Sequence, residues 1–90
     1  MTFELNEKGC WEGTETVSGN FNLHMEKEFN SAVNVLVATG GATKFAPCAV
    51  FREPAYVVDA DFTGEVFDKT IKVECLAKGD VAPVATITEA

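Results

Sequence analysis

From Phe21 to Phe29 the chain reads FNLHMEKEF, with Phe21, Leu23, Met25 and Phe29 apolar and Asn22, His24, Glu26 and Glu28 polar between them. Lys27 alone breaks the apolar set. A period of two belongs to an extended strand whose successive side chains point to opposite faces, so the stretch predicts a half-buried strand with one wet face. The same alternation returns at residues 56–62, where Tyr56, Val58, Ala60 and Phe62 fall on one face and Val57, Asp59 and Asp61 on the other. Between these lies AVNVLVAT, residues 32–39, β-branched and without strong polarity on either side, which predicts a central strand.

The seven glycines all fall between apolar runs and mark turns. Asn30 and Ser31 leave room for a two-residue turn between the first two strands, and Gly40–Gly41 supply the next hairpin into ATKFAPCAVF. In that segment Pro47 has no N–H to donate, which directs its strand to a sheet edge or to a bulge. Residues 65–78 admit two readings. Glu65 with Lys69, Asp68 with Lys72 and Glu74 with Lys78 are i,i+4 pairs in the helix-favouring order. Yet Phe67, Ile71, Val73, Cys75 and Ala77 separate from Asp68, Thr70, Lys72 and Glu74 only at period two. Strand is the preferred reading, and a helix at 65–78, which would make the fold α+β, is the alternative.

Together these elements predict an all-β fold: a single small antiparallel sandwich or barrel of roughly six to eight short strands, with a meander early in the chain. Residues 1–20, where two glycines frame Trp11 among polar residues, read as an N-terminal arm or irregular edge segment, and 21–90 as the β domain.

Composition narrows the function classes. Ninety residues with 47% hydrophobic content suit one domain. Seven basic against fourteen acidic residues, for a net charge of -7, argue against a nucleic-acid partner, because binding to phosphates draws on Lys and Arg. Anionic membranes are disfavoured for the same reason, and no apolar run approaches the roughly 20 residues that span a bilayer. MTFELNEKGC has neither the basic nor the apolar region of a signal peptide, so synthesis and retention in the cytoplasm are expected, with incorporation into a virion as one destination. Cys10, Cys48 and Cys75 are odd in number and lack C-x-x-C spacing, which reads as free thiols.

Residues 59–70, DADFTGEVFDKT, come nearest to a chemical signature. Asp59, Asp61 and Thr63 stand at the first, third and fifth positions of a twelve-residue calcium loop and Gly64 at the sixth. Thr70, however, occupies the place of the bidentate glutamate, and the preceding alternation sets both aspartates side by side on a strand. Asp59 and Asp61 therefore remain only a weak metal candidate, and they lack the opposed sides of a substrate cleft that a catalytic carboxylate pair needs. His24, the single histidine, shares a polar strand face and would need metal ligands from neighbouring strands. Cys10 has no adjacent cation to activate its thiol. The expectation is a protein that is not an enzyme and takes no cofactor.

Aromatic residues give the partner-binding candidates: Trp11, framed by Gly9 and Gly13, with Phe45, Phe51 and Tyr56. A tryptophan closing one end of the sandwich is the plainer role for Trp11. The leading expectation is a non-enzymatic structural or interaction module, repeated in a larger assembly such as a phage or virus particle, as a capsid decoration or tail-associated protein. Its partners would be identical subunits or a capsid or tail lattice, reached through a free strand edge. The alternative is a carbohydrate-binding β-sandwich with Trp11 and Tyr56 as stacking platforms.

Overall fold

Along β3 (Phe21–Glu26) the alternation in the sequence becomes an alternation of burial, with Phe21, Leu23 and Met25 inside, Asn22 and His24 half-buried and Glu26 exposed. The computed structural model describes residues 1–39, 44–63, 68–78 and 81–89. In chain order the remaining strands are β1 (Phe3–Leu5), β2 (Cys10–Ser18), β4 (Val33–Thr39), β5 (Ala46–Phe51), β6 (Val57–Phe62), β7 (Asp68–Lys78) and β8 (Val84–Glu89). They form a five-stranded sheet ordered β1-β2-β7-β4-β5 and a three-stranded sheet ordered β6-β3-β8, with every pairing antiparallel. The protein is a small all-β sandwich. Among the described residues no helix is long and apolar enough to cross a membrane.

The core is what the inward positions of both sheets supply: Leu23, Met25 and Val58 from the smaller, Val17, Val33, Val35, Ile71, Val73 and Cys75 from the larger. Removing each large apolar side chain from water contributes roughly 1.5–3 kcal/mol. That magnitude decides the 65–78 ambiguity in favour of strand. Burying Ile71, Val73 and Cys75 on one face of β7 outweighs helical ion pairs of about 0.2–0.5 kcal/mol each. β7 lies at the centre of its sheet, and the earlier part of the segment, 65–67, is outside the described residues.

The expected early meander is not formed. β3 pairs with β6 and β8, so the Asn30–Ser31 stretch is not a hairpin turn between β3 and β4. Residues 27–32 instead carry the chain from one sheet to the other, and they are tied to both. Lys27 donates its backbone N–H to the Tyr56 carbonyl at 2.8 Å, Leu76 donates to the Ala32 carbonyl at 2.9 Å, and the Asn30 side chain accepts from Ala55 N–H at 2.8 Å. Alternation along a strand says which face is wet but not which strand lies beside it. The hairpin turn expected at Gly40–Gly41 lies outside the described residues, although the strands it would join, β4 and β5, do pair.

Pro47 has both expected consequences. β5 is an edge strand, and its register slips between Val35↔Ala49 and Leu36↔Pro47, leaving Cys48 as the extra residue of a bulge. The stretch 1–20 holds β1, which is an edge, and β2, which is interior and pairs with β7 as far as Ser18↔Asp68. Gly9, at φ +79°, closes the β1–β2 hairpin, where the Asn6 side chain accepts from the Lys8 and Cys10 N–H groups. Gly13 is buried, because Met1 and Thr2 lie against it: a Cβ there would stand 2.8 Å from the Thr2 carbonyl oxygen and 2.9 Å from Met1 Cγ. The Met1 amine lies 3.4 Å from Glu15 Oε1 on β2 and donates to the Ala85 carbonyl on β8 at 3.4 Å, so it bridges the sheets.

Candidate protein-interaction surface

The outward face of the three-stranded sheet is a grid fixed by register. Asn22 lies between Asp61 and Thr88, His24 between Asp59 and Thr86, and Glu26 between Val57 and Val84. Two rows are polar and one is apolar at both ends. Val57 is 58% exposed and Val84 67%; Tyr56, which precedes β6 in the chain, is 52% exposed. Val57 is outward because Val58, its neighbour, takes the inward position of β6 and is buried.

In the polar rows the Asn22 side-chain amide donates to Asp59 Oδ1 at 3.0 Å and to Asp61 Oδ1 at 2.9 Å. His24 Nδ1 lies 3.4 Å from Asp59 Oδ2, and Nε2 4.0 Å from Glu26 Oε2. The Asn22 hydrogen bond, with His24 adding to it, holds the Asp59 carboxyl below its ordinary value. This geometry bears on the calcium-loop resemblance. Asp59 and Asp61 do stand side by side on an exposed strand, and an amide N–H donor occupies the position between them that a cation would take. Among the described residues no group of three or more His, Cys, Asp or Glu side chains is placed to hold a metal ion. Gly64 and the residues to 67 lie outside the described part.

The aromatic candidates are dispersed. Trp11, on β2 opposite Leu5, is half-buried and packs against the core. Phe51, at the end of β5, also packs on the core and meets Phe62 edge-on, with ring centres 6.5 Å apart; Phe62 in turn stacks on Phe21 at 4.8 Å. Phe45, just before β5, is half-buried with Lys72 Nζ 5.6 Å from its ring centre. Tyr56 is the exposed one of the four. Trp11 lies on β2 of the larger sheet and Tyr56 just before β6 of the smaller one. Val57 and Val84 are not among the aromatic candidates, although the alternation in the sequence places Val57 on the face of Asp59 and Asp61.

A second cluster of polar groups is interior. Lys27 is buried, and its amine donates to the Ser31 carbonyl at 2.7 Å and lies 5.9 Å from the Phe29 ring centre. Burial pushes the Lys27 pKa down and the Cys75 thiol up. A protonated thiol is a poor nucleophile, and Cys75 is 1% exposed. Cys10 is half-buried and Cys48 exposed.

One groove, of about 330 Å³, lies at the end of the polar rows beside Asn22, Asp61 and Thr88, and others lie away from this face. One of about 350 Å³ is polar, lined by Asn6, Glu7, Lys8, Glu12, Lys72 and Glu74, with Lys72 paired to Glu12 at 3.6 Å. Another, of about 290 Å³, opens between the sheets beside Phe21, Val37, Cys48 and Phe62. Comparison with protein-family models, curated proteins and solved structures returns no match.

Proposed function

We propose that the protein is a non-enzymatic interaction module that works as a repeated subunit of a larger assembly, of the kind that decorates a capsid or belongs to the tail of a phage or virus particle. The observation that carries this reading is the apolar row of the three-stranded sheet: Val57 and Val84, each more than half exposed. On a sheet face left in water the outward positions take polar residues, as the Asp61–Asn22–Thr88 row does. Covering the two valines stabilises a contact by roughly 1.5–3 kcal/mol for each side chain fully buried. A net charge of -7 keeps free subunits apart at low ionic strength, so association should strengthen with salt.

Light scattering across a concentration and salt series tests this. The wild-type chain should show a mass above the 9.7 kDa of one subunit, increasing with both variables. Val57→Lys with Val84→Lys should lower that mass without altering the circular dichroism spectrum. A wild-type protein that stays at 9.7 kDa under every condition would overturn the reading.

A further inference from the structure

The sandwich has four sheet edges, and they are not equally guarded. β1 is only three residues long. β5 carries Pro47 and the bulge at Cys48. β6 carries Asp59 and Asp61, with Asp59 62% exposed. Short length, proline, bulges and charge are the devices that keep an edge from pairing with another chain. β8 is guarded least, with its one charge, Glu89, at its last position. Its register with β3 runs unbroken from Glu26↔Val84 to Phe21↔Glu89, and Val84, Ala85, Thr86, Ile87 and Thr88 include no proline and no charge. Among the described residues β8 pairs with β3 alone.

We propose that β8 is the edge through which two copies of this chain join, antiparallel about a two-fold axis at Thr86, to make a continuous six-stranded sheet β6-β3-β8-β8-β3-β6. This inference rests on the assembly reading and names its contact. Charge selects the occupant. A β8–β8 junction leaves Asp59 and Asp61 of both copies at the far edges, whereas β6–β6 pairing would set four aspartates on adjacent strands, where like charges repel. A β6–β8 junction would be head-to-tail, giving a ring or an open chain of copies, whereas the two-fold one closes as a dimer.

The register centred on Thr86 matches like with like. On the outer face Thr86 meets Thr86 of the second copy and Val84 meets Thr88, and on the inner face Ala85 meets Ile87. Threonine pairs and β-branched pairs are favourable across antiparallel strands. Glu89 falls beyond this stretch and is already engaged, accepting from Ser18 N–H at 3.0 Å. The other contact from the larger sheet, Met1 amine to Ala85 carbonyl at 3.4 Å, falls on a residue of the junction and takes one of the two lone pairs of that carbonyl, leaving the second for the neighbouring copy. The joined sheet presents the Val57–Glu26–Val84 row twice, once near each end, to whatever the pair is mounted on.

The test is disulfide trapping with Thr86→Cys in a Cys48→Ser background. Residues facing each other across such an axis have Cα atoms about 5 Å apart, within reach of a disulfide. Mild oxidation should convert Thr86→Cys to a linked dimer and leave Asp59→Cys, on β6, unlinked. Thr86→Lys, a charge placed on the edge, should reduce the wild-type mass while sparing the melting temperature. If the wild type associates but Thr86→Cys does not link and Thr86→Lys associates as before, the β8 contact is overturned and the assembly reading stands. Linking through Asp59→Cys instead assigns the junction to β6 and equally overturns it. A wild type that remains a single 9.7 kDa species sinks both.

Discussion

Gly13→Ala isolates how the N-terminal residues are held. Gly13 sits inside β2 opposite Val73, with a backbone that any residue adopts, since among the described residues the positive φ angles belong to Gly9 and Gly19. An alanine there would gain about 0.5–1 kcal/mol by restricting the unfolded chain, if there were room. There is no room: its Cβ would lie 2.8 Å from the Thr2 carbonyl oxygen, a backbone atom that moves only if the strand moves, and 2.9 Å from Met1 Cγ. Overpacking of this kind costs about 1–3 kcal/mol, so the steric cost exceeds the entropic gain. A net loss of about 1 kcal/mol lowers the melting temperature of a domain this size by about 4–8 °C. Thermal unfolding by circular dichroism reads this directly. The same substitution in a chain lacking residues 1 and 2 should be neutral or stabilising, because both obstructing groups are gone. Gly19→Ala is the control: its cost comes from φ +69°, with no atom within 4 Å of the new Cβ, and should be the same in both backgrounds. A Gly13→Ala protein that melts at or above the wild-type temperature would refute the packing of Met1 and Thr2 on β2.

Other expectations concern the titrating groups and the sheet face. Asn22→Ala should raise the Asp59 carboxyl toward its ordinary 3.8, followed by carbon-detected NMR, with little change in melting temperature because the site is exposed. Cys75, held protonated by burial, binds a proton in the folded state that the unfolded chain releases above 9.0, so its contribution falls as pH rises past that value. Lys27 has the opposite sign: its folded pKa lies below 10.5, so stability increases with pH between the two. Urea midpoints measured from pH 8 upward should therefore decline less steeply, or rise, in Cys75→Ala; an unchanged slope would discount the thiol. Millimolar calcium should leave the melting temperature where it is, because the Asn22 amide already occupies the gap between Asp59 and Asp61. A calcium-induced rise abolished by Asp59→Ala would restore the cation site.

Inward and outward positions were legible wherever a strand has one wet face. β3 and β6 follow their alternation residue by residue, and Pro47 foretold both the edge and the bulge of β5. Strand neighbours were not legible. Nothing in FNLHMEKEF distinguishes a strand that turns back on itself from one that crosses to another sheet, because that choice depends on Lys27 and Asn30 finding Tyr56 and Ala55, distant in sequence. At the candidate surface the aromatic residues drew attention through their size, yet three of the four are half-buried. Large rings bury themselves when a core is within reach. The contact candidates that emerged instead, Val57 and Val84, owe their exposure to register, a property of pairs of strands that no single segment carries.

The central place of β7 in the larger sheet sets an order of events during synthesis. β2 can pair early with β1 and β4 with β5, yet these two halves join into one sheet only once residues 68–78 have left the ribosome. Until then both strands emerge with unpaired backbone groups and apolar faces open to neighbouring nascent chains. A polypeptide whose sheet must wait for its middle strand folds slowly, by closing long loops before its two halves are joined. Its yield on expression should therefore depend on temperature and chaperone supply more than the stability of the finished molecule would suggest.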